Sequence, residues 1–278
     1  MAGILYLCAT PIGNLEDMTF RAVRVLGEVD FIAAEDTRHT RKLLTHFDLH
    51  TPLISYHEHN KFERGPELIS MLLEGKNIAV VSDAGLPGIA DPGSHLAQLA
   101  IEEGIIVMPL PGANAALSGL ICSGLDTTSF LFVGFLPKTS RKRREVLESI
   151  VSSKATLLFY ESPHRLKDTL KECITVLGER KAVACRELTK KFEEFVRGTL
   201  SSLQEHFQNN QPRGEFTLII EGNTKDEEDF EQLTGEISLQ DAVEQLIKQG
   251  VDKKTAMKEV AVKYKVSKRD VYQALLGK

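Results

Sequence analysis

The chain has 278 residues, 42% of them hydrophobic and 26% charged, with a formal net charge of −5. That is room for two domains with buried cores, and it excludes a low-complexity or uniformly basic chain. No stretch approaches the ~18 apolar residues that a membrane helix needs, and the opening MAGILYLCATPIGN lacks the basic run and cleavage site of a secretory leader. Cys8, Cys122, Cys173 and Cys185 are widely spaced, with no C-x-x-C and no histidine at a ligand interval. No metal site is expected, and isolated buried thiols in a reducing cytoplasm fit best.

GILYLCAT reads as a strand, LEDMTFRAVRVLGEV as an amphipathic helix and FIAAED as a second strand, followed by a helix over Thr37 to Phe47. PLISYH and NIAVVSD are strands around the helix RGPELISMLLEGK; SHLAQLAIEEG is a helix, IIVMPLP a strand, and PGANAALSGL opens another helix. Such alternation predicts βαβ units and a mostly parallel sheet over residues 1–116. Residues 117–222 predict a smaller mixed α/β domain with strands SFLFVGFLP, ATLLFYES, KAVACREL, EEFVRG and GEFTLIIEG. Residues 223–237 read as an acidic tether. Three short helices over 238–278 follow, with S-x-x-D capping signals at Ser238 and Ser267. They read either as a helix-turn-helix-like domain or as a helical extension that packs on the main body or on a second subunit.

Charge is unevenly placed. Residues 226–244 hold eight acids and no Lys or Arg, whereas 248–278 hold nine basic residues against three acidic ones. A second basic knot is Lys138, Arg141, Lys142, Arg143 and Arg144. Such patches suit a polyanionic partner, or they are solvated surface.

Walker-type, G-x-G-x-x-G and G-x-S-x-G motifs are absent. Instead, ATPIGNLED, AEDTRHTR, SDAGLPGIADPG, PLPGANAAL, GFLPK, ESPHR and CRELT each lie at the carboxyl end of a predicted strand. Open α/β sheets bind ligands there, so a cleft between the two domains is expected.

In this order and spacing these loops resemble the tetrapyrrole methylase superfamily, and within it the branch that methylates ribosomal RNA of the small subunit. The resemblance covers about residues 3–222, and the helical tail resembles that branch's C-terminal domain. It implies an α/β fold: a two-domain class III S-adenosylmethionine-dependent methyltransferase with a C-terminal helical domain. It implies methyl transfer from S-adenosylmethionine to the ribose 2′-oxygen of a decoding-centre cytidine in 16S rRNA, with the small ribosomal subunit as partner. Homodimers are common in the family. The first loop is not the G-x-G-P-G-D of the porphyrin-modifying members, and SDAGLPG replaces their G-D-P, which counts against a tetrapyrrole substrate. A small-molecule methyltransferase and a non-catalytic ribosome-binding factor remain the competing readings.

By the family pattern the cofactor-contacting positions are Pro11, Asp83, Ala84, Gly85, Pro87, Asn114 and Ala115, with positions near Tyr160, Leu188 and Thr217. Asp83 either holds a cofactor group or shapes its own loop. A weakly acidic ribose hydroxyl benefits from a base, and Glu161, His164 and Asp36 are the candidates. His164 is equally well a plain helix-start residue. Phosphate contacts would fall to Lys138, Arg141, Lys142, Arg143, Arg144, Arg38, Arg165, Lys268 and Arg269.

Overall fold

IAVV at 78–81 has no polar alternation because both faces of its strand are covered. In the computed structural model, which describes residues 1–224, 239–248, 251–263, 266 and 268–275, that strand is central in a five-stranded sheet. The sheet contains β1 (Ile4–Cys8), β2 (Phe31–Ala34), β3 (Leu53–Ser55), β4 (Ile78–Val81) and β5 (Ile106–Leu110). Their order is β3-β2-β4-β1-β5 and every pairing is parallel. Ile78 and Val80 face the helices α3 (Lys61–Leu73) and α4 (Gly93–Glu102), where Leu68, Leu72 and Leu96 are buried. Ala79 and Val81 face α1 (Phe20–Glu28) and α2 (Thr37–His46), where Val25, Leu26 and Leu44 are buried.

The second sheet also has five strands, so it is not smaller than the first. It comprises β6 (Phe130–Phe135), β7 (Thr156–Glu161), β8 (Lys181–Arg186), β9 (Glu194–Thr199) and β10 (Phe216–Ile220). Their order is β6-β7-β10-β8-β9, with only β6 and β7 parallel. One face packs on α6 (Ser140–Ser149), α7 (Leu166–Leu177) and α8 (Leu200–Asn209) through Leu147, Leu170, Leu203 and Phe207. The other face meets α5 (Ala115–Ser123) through Ala116 and Leu120. Ile12, from the loop after β1, packs into that same cluster and so joins the two sheets. Both sheets lie in one compact unit, Met1–Asn223.

The second unit, Thr224–Lys278, contains α9 (Leu239–Lys248), α10 (Lys253–Lys263) and α11 (Lys268–Leu275). Val243, Ala256, Val260, Ala261 and Val271 form its buried centre. Asp252 starts α10, its Oδ1 accepting from the N–H groups of Lys254 (3.0 Å) and Thr255 (3.1 Å). Ser238, Ser267 and nearly all of the acidic 223–237 segment lie outside the described residues. Among the described residues no helix is long and apolar enough to cross a membrane.

Candidate functional site

β1 and β4 are neighbours, but the helices that follow them go to opposite faces of the sheet: α1 to one and α4 to the other. Their connecting loops therefore diverge and leave a crevice, the place where open α/β sheets take ligands. Its floor is a two-residue antiparallel bridge. Thr10 N–H donates to Gly85 O (2.9 Å), and Gly85 N–H donates to Thr10 O (3.0 Å). Gly85 has φ +82°, and a Cβ there would stand 3.3 Å from both Ala113 O and Ile12 Cγ2. Three loops thus converge on a position that only glycine fills without strain. Asp91 braces the rest of SDAGLPGIADPG, its Oδ1 accepting from Gly88 and Gly93 N–H at 2.8 Å each.

A cleft of ≈ 400 Å³ opens from this crevice toward the second-sheet face that α5 leaves bare. Asp83, Ala84, Gly85, Asn114, Ala115, Tyr160, Leu188 and Thr217 line it, and Glu161 borders it. Pro11 and Pro87 lie outside the lining. Ile12 takes the wall position beside Pro11, and Pro87 is buried beneath its loop against Gly93. Asn114 caps α5, its Oδ1 accepting from Leu117 N–H at 2.9 Å.

The wall facing the first loop is a left-handed stretch. Glu187 has φ 48° and the β-branched Thr189 has φ 67°, an uncommon and costly conformation concentrated at ligand-handling sites. Lys190, just beyond, bonds Glu187 (3.0 Å) and Glu215 (2.8 Å). Its stem crosses Gly13, where a Cβ would come 2.3 Å from Lys190 Cγ, so first loop and CRELT loop touch at the mouth.

The three carboxyl and imidazole candidates are placed very differently. Asp36 caps α2: its Oδ1 accepts from Arg38 N–H (2.8 Å), and its carboxylate binds the Arg38 guanidinium at 3.1 and 2.7 Å. The guanidinium hydrogen bond holds this carboxyl well below the usual range, which makes it a weak base. Glu161 follows strand parity onto the α7 face, opposite to its neighbour Tyr160. Its Oε2 accepts from Thr169 Oγ1 (2.6 Å) and its Oε1 from Ser162 N–H (2.8 Å), with Arg165 at 3.5 Å. His164 is exposed and outside the lining.

Glu35, one residue before Asp36, does line the cleft. Its Oε2 accepts from Asp83 N–H (3.3 Å), while Asp83 Oδ1 accepts from Asp36 N–H (3.1 Å), a reciprocal latch between the loops after β2 and β4. Asp83 therefore shapes the loop through one oxygen while lining the cleft. Burial pushes the Glu35 carboxyl up. The Asp83 and Asp91 charges push the same way, while the Asp83 N–H and His57 oppose them. Burial likewise raises Asp91.

The basic knot is not one patch. Arg143 recurs with Leu147 on the inward face of α6, and with Ile150 just past its end; it is 6% exposed and pairs with Glu172, which Ser140 also bonds. This corrects its assignment as a phosphate contact: the helical period carries it into the protein. Arg141, Lys142 and Arg144 face outward, as does Lys138. Arg143→Ala should cost about 3 kcal/mol, because it strands a nearly buried carboxylate. Arg144→Ala should stay within about 0.5 kcal/mol; denaturant unfolding of the two variants distinguishes them. Arg38 is bound to Asp36, and Arg165 donates to Leu136 O (2.6 Å) and Pro137 O (3.1 Å). Lys268 and Arg269 fall in α11, and their side chains lie outside what is described.

The sequence pattern of the family described as tetrapyrrole (corrin/porphyrin) methylases matches residues 4–204. The chain belongs to this family. Membership makes it a methyltransferase, with the two-sheet architecture the family shares. Ribosomal RNA small subunit methyltransferase I of Halalkalibacterium halodurans is 56% identical over 270 residues, covering 97% of this chain and 93% of that protein. The Bacillus subtilis protein of the same name is 50% identical over 273 residues, covering 98% and 94%. Among solved structures, uroporphyrin-III C-methyl transferase from Thermus thermophilus, complexed with S-adenyl homocysteine, superposes with a TM-score of 0.56. It is 17% identical and covers 79% of this chain and 97% of its own, a likeness of fold alone.

Within this methylase, sequence reasoning missed Glu35, Asp91, Ile12, Phe135 and Lys190 as cleft residues. A signal existed for Glu35, since it shares a strand end with Asp36. Nothing in a single sequence says which of two adjacent acids caps the helix.

Proposed function

We propose that the chain transfers the methyl group of S-adenosylmethionine to the ribose 2′-hydroxyl of a decoding-centre cytidine in 16S rRNA, within the small ribosomal subunit. The observation that carries this reading is the extent of the likeness. Relatives named for small-subunit RNA methylation match 97–98% of the chain, helical unit included, whereas the porphyrin-modifying structure covers 79%. The exposed Lys138, Arg141, Lys142 and Arg144 supply the charge that a polyanionic acceptor needs.

The cleft fits the cofactor. Its ≈ 400 Å³ suits a nucleoside-sized ligand, and the backbone at the exposed Ala84 is open to approach because that residue carries only a methyl side chain. Ile12, Ala115 and Leu188 would hold the apolar part, and Asp83 and Asp91 face the positive groups. Bound there, S-adenosylmethionine supplies a methyl already activated on a sulfonium, so the protein's task is alignment and proton removal. Glu35 takes the hydroxyl proton. It borders the cleft, its second oxygen is not needed by the loop latch, and its surroundings make it more basic than an ordinary glutamate.

Incubating the protein with methyl-labelled cofactor and small subunits, then mapping the label, tests the reading. One ribose label in 16S rRNA is expected, weakening steeply with salt. Label on a tetrapyrrole and none on RNA would overturn it.

A further inference from the structure

β6 changes parity just before it reaches the cleft. In a regular strand, residues three apart face opposite sides. Phe132 and Phe135 nevertheless both pack on Tyr160, with ring centroids 5.1 and 5.6 Å away. A β-bulge between Phe132 and Gly134 accounts for this: Val133 and Gly134 together oppose Phe159, and Gly134 has φ +72°. Without the bulge, Phe135 would point to the face covered by α6 and α7. With it, Leu136 takes the core position at 2% exposure, and Phe135 emerges on the cleft face at 58%. Packing alone gives no reason to turn a core-bound phenyl ring out.

The cleft is closed at depth, where Cys185 and Thr217 are buried, and open at the rim, where Phe135 and Ile89 are exposed. Arg165 pins the two carbonyls that follow Phe135, and the exposed Lys138 comes next along the chain. The rim therefore presents a fixed aromatic face beside cationic side chains.

We propose that Phe135 is the stacking platform for the acceptor nucleobase, an unpaired pyrimidine of RNA whose flanking phosphates meet Lys138 and the outward-facing basic residues of α6. This rests on the RNA-methylating reading above. A base that leaves the helical stack frees its ribose to enter a cleft, and aromatic side chains are what proteins offer to splayed bases. A deep-bound cofactor leaves the rim to the polymer.

The test uses the full chain and a short single-stranded RNA of the acceptor sequence carrying a fluorescent cytosine analogue. Wild type should quench the analogue. Phe135→Ala should abolish the quench and raise the RNA Kd by about 5- to 150-fold, the span of base–aromatic stacking. Cofactor affinity by calorimetry should stay unchanged. Phe135→Trp should restore both, and Gly134→Val, which removes the bulge residue's freedom, should behave like Phe135→Ala if it folds. Unchanged quenching in Phe135→Ala overturns the proposal. So does a matching loss of cofactor affinity, which would give the ring to the cofactor's adenine. If the wild type labels no RNA ribose, the broader reading fails, and the quench still decides the platform by itself.

Discussion

Glu35→Gln should lower kcat for methyl transfer by about 10²–10⁴-fold, the contribution of one general base, with little change in cofactor affinity. The amide keeps the carbonyl oxygen that accepts from Asp83 N–H, so the latch between the two loops survives. What it loses is the ability to take a proton. The wild-type rate should rise with pH through a pKa above the ordinary glutamate range, because only the ionised carboxylate accepts the proton and burial holds that ionisation back. Asp83→Asn removes one neighbouring like charge while retaining an acceptor for Asp36 N–H, so it should move that limb to lower pH. Stability carries the opposite sign. A carboxyl with a raised folded pKa contributes stability that is present below its unfolded pKa and lost as pH rises through the folded one. Glu35→Gln should therefore hold or gain stability at neutral pH while losing turnover, a combination that a merely structural role does not produce. A variant turning over at the wild-type rate would exclude Glu35, and thermal unfolding at two pH values supplies the second readout.

The strand-to-helix alternation was legible because both sheets are built from apolar runs ended by Gly/Pro-rich or polar loops, and seven such loops at strand ends pointed to a cleft. Residues whose placement follows local rules were readable in principle: Arg143 shares the helical period of Leu147 and Ile150, although the run of basic residues masks it. Residues placed by non-local pairing were not. β10 enters between β7 and β8 through pairings that span tens of residues, and the bulge in β6 is defined only against β7. That is why Phe135 reads from its strand period as core and stands instead at the cleft rim. The capping choice between Glu35 and Asp36 belongs to the same class, since Asp83, in the loop after the strand β4 that pairs with β2, completes the latch.

Gly85→Val should abolish tight cofactor binding and lower the Tm by several degrees, and Gly124→Val isolates the reason. Both glycines are left-handed, Gly85 at φ +82° and Gly124 at φ +79°, so both substitutions incur the backbone strain of a β-branched residue there, about 1–3 kcal/mol. At about 2–4 °C per kcal/mol for a unit of this size, that alone lowers the Tm by roughly 2–12 °C. Nothing lies within 4 Å of a Cβ at Gly124, which ends α5 at the surface, so its variant should show the strain term only and keep its affinity for S-adenosylmethionine. At Gly85 the added side chain also meets Ala113 O and Ile12 Cγ2 at 3.3 Å, and the Thr10 bridge holds the backbone so that it cannot retreat. The first, third and PGANA loops must then separate, and these carry Ile12, Asp83 and Ala115 of the cleft wall. Calorimetric titration of both variants with the cofactor decides the matter. Equal affinities would show that the three-loop convergence at Gly85 holds the fold without shaping the site.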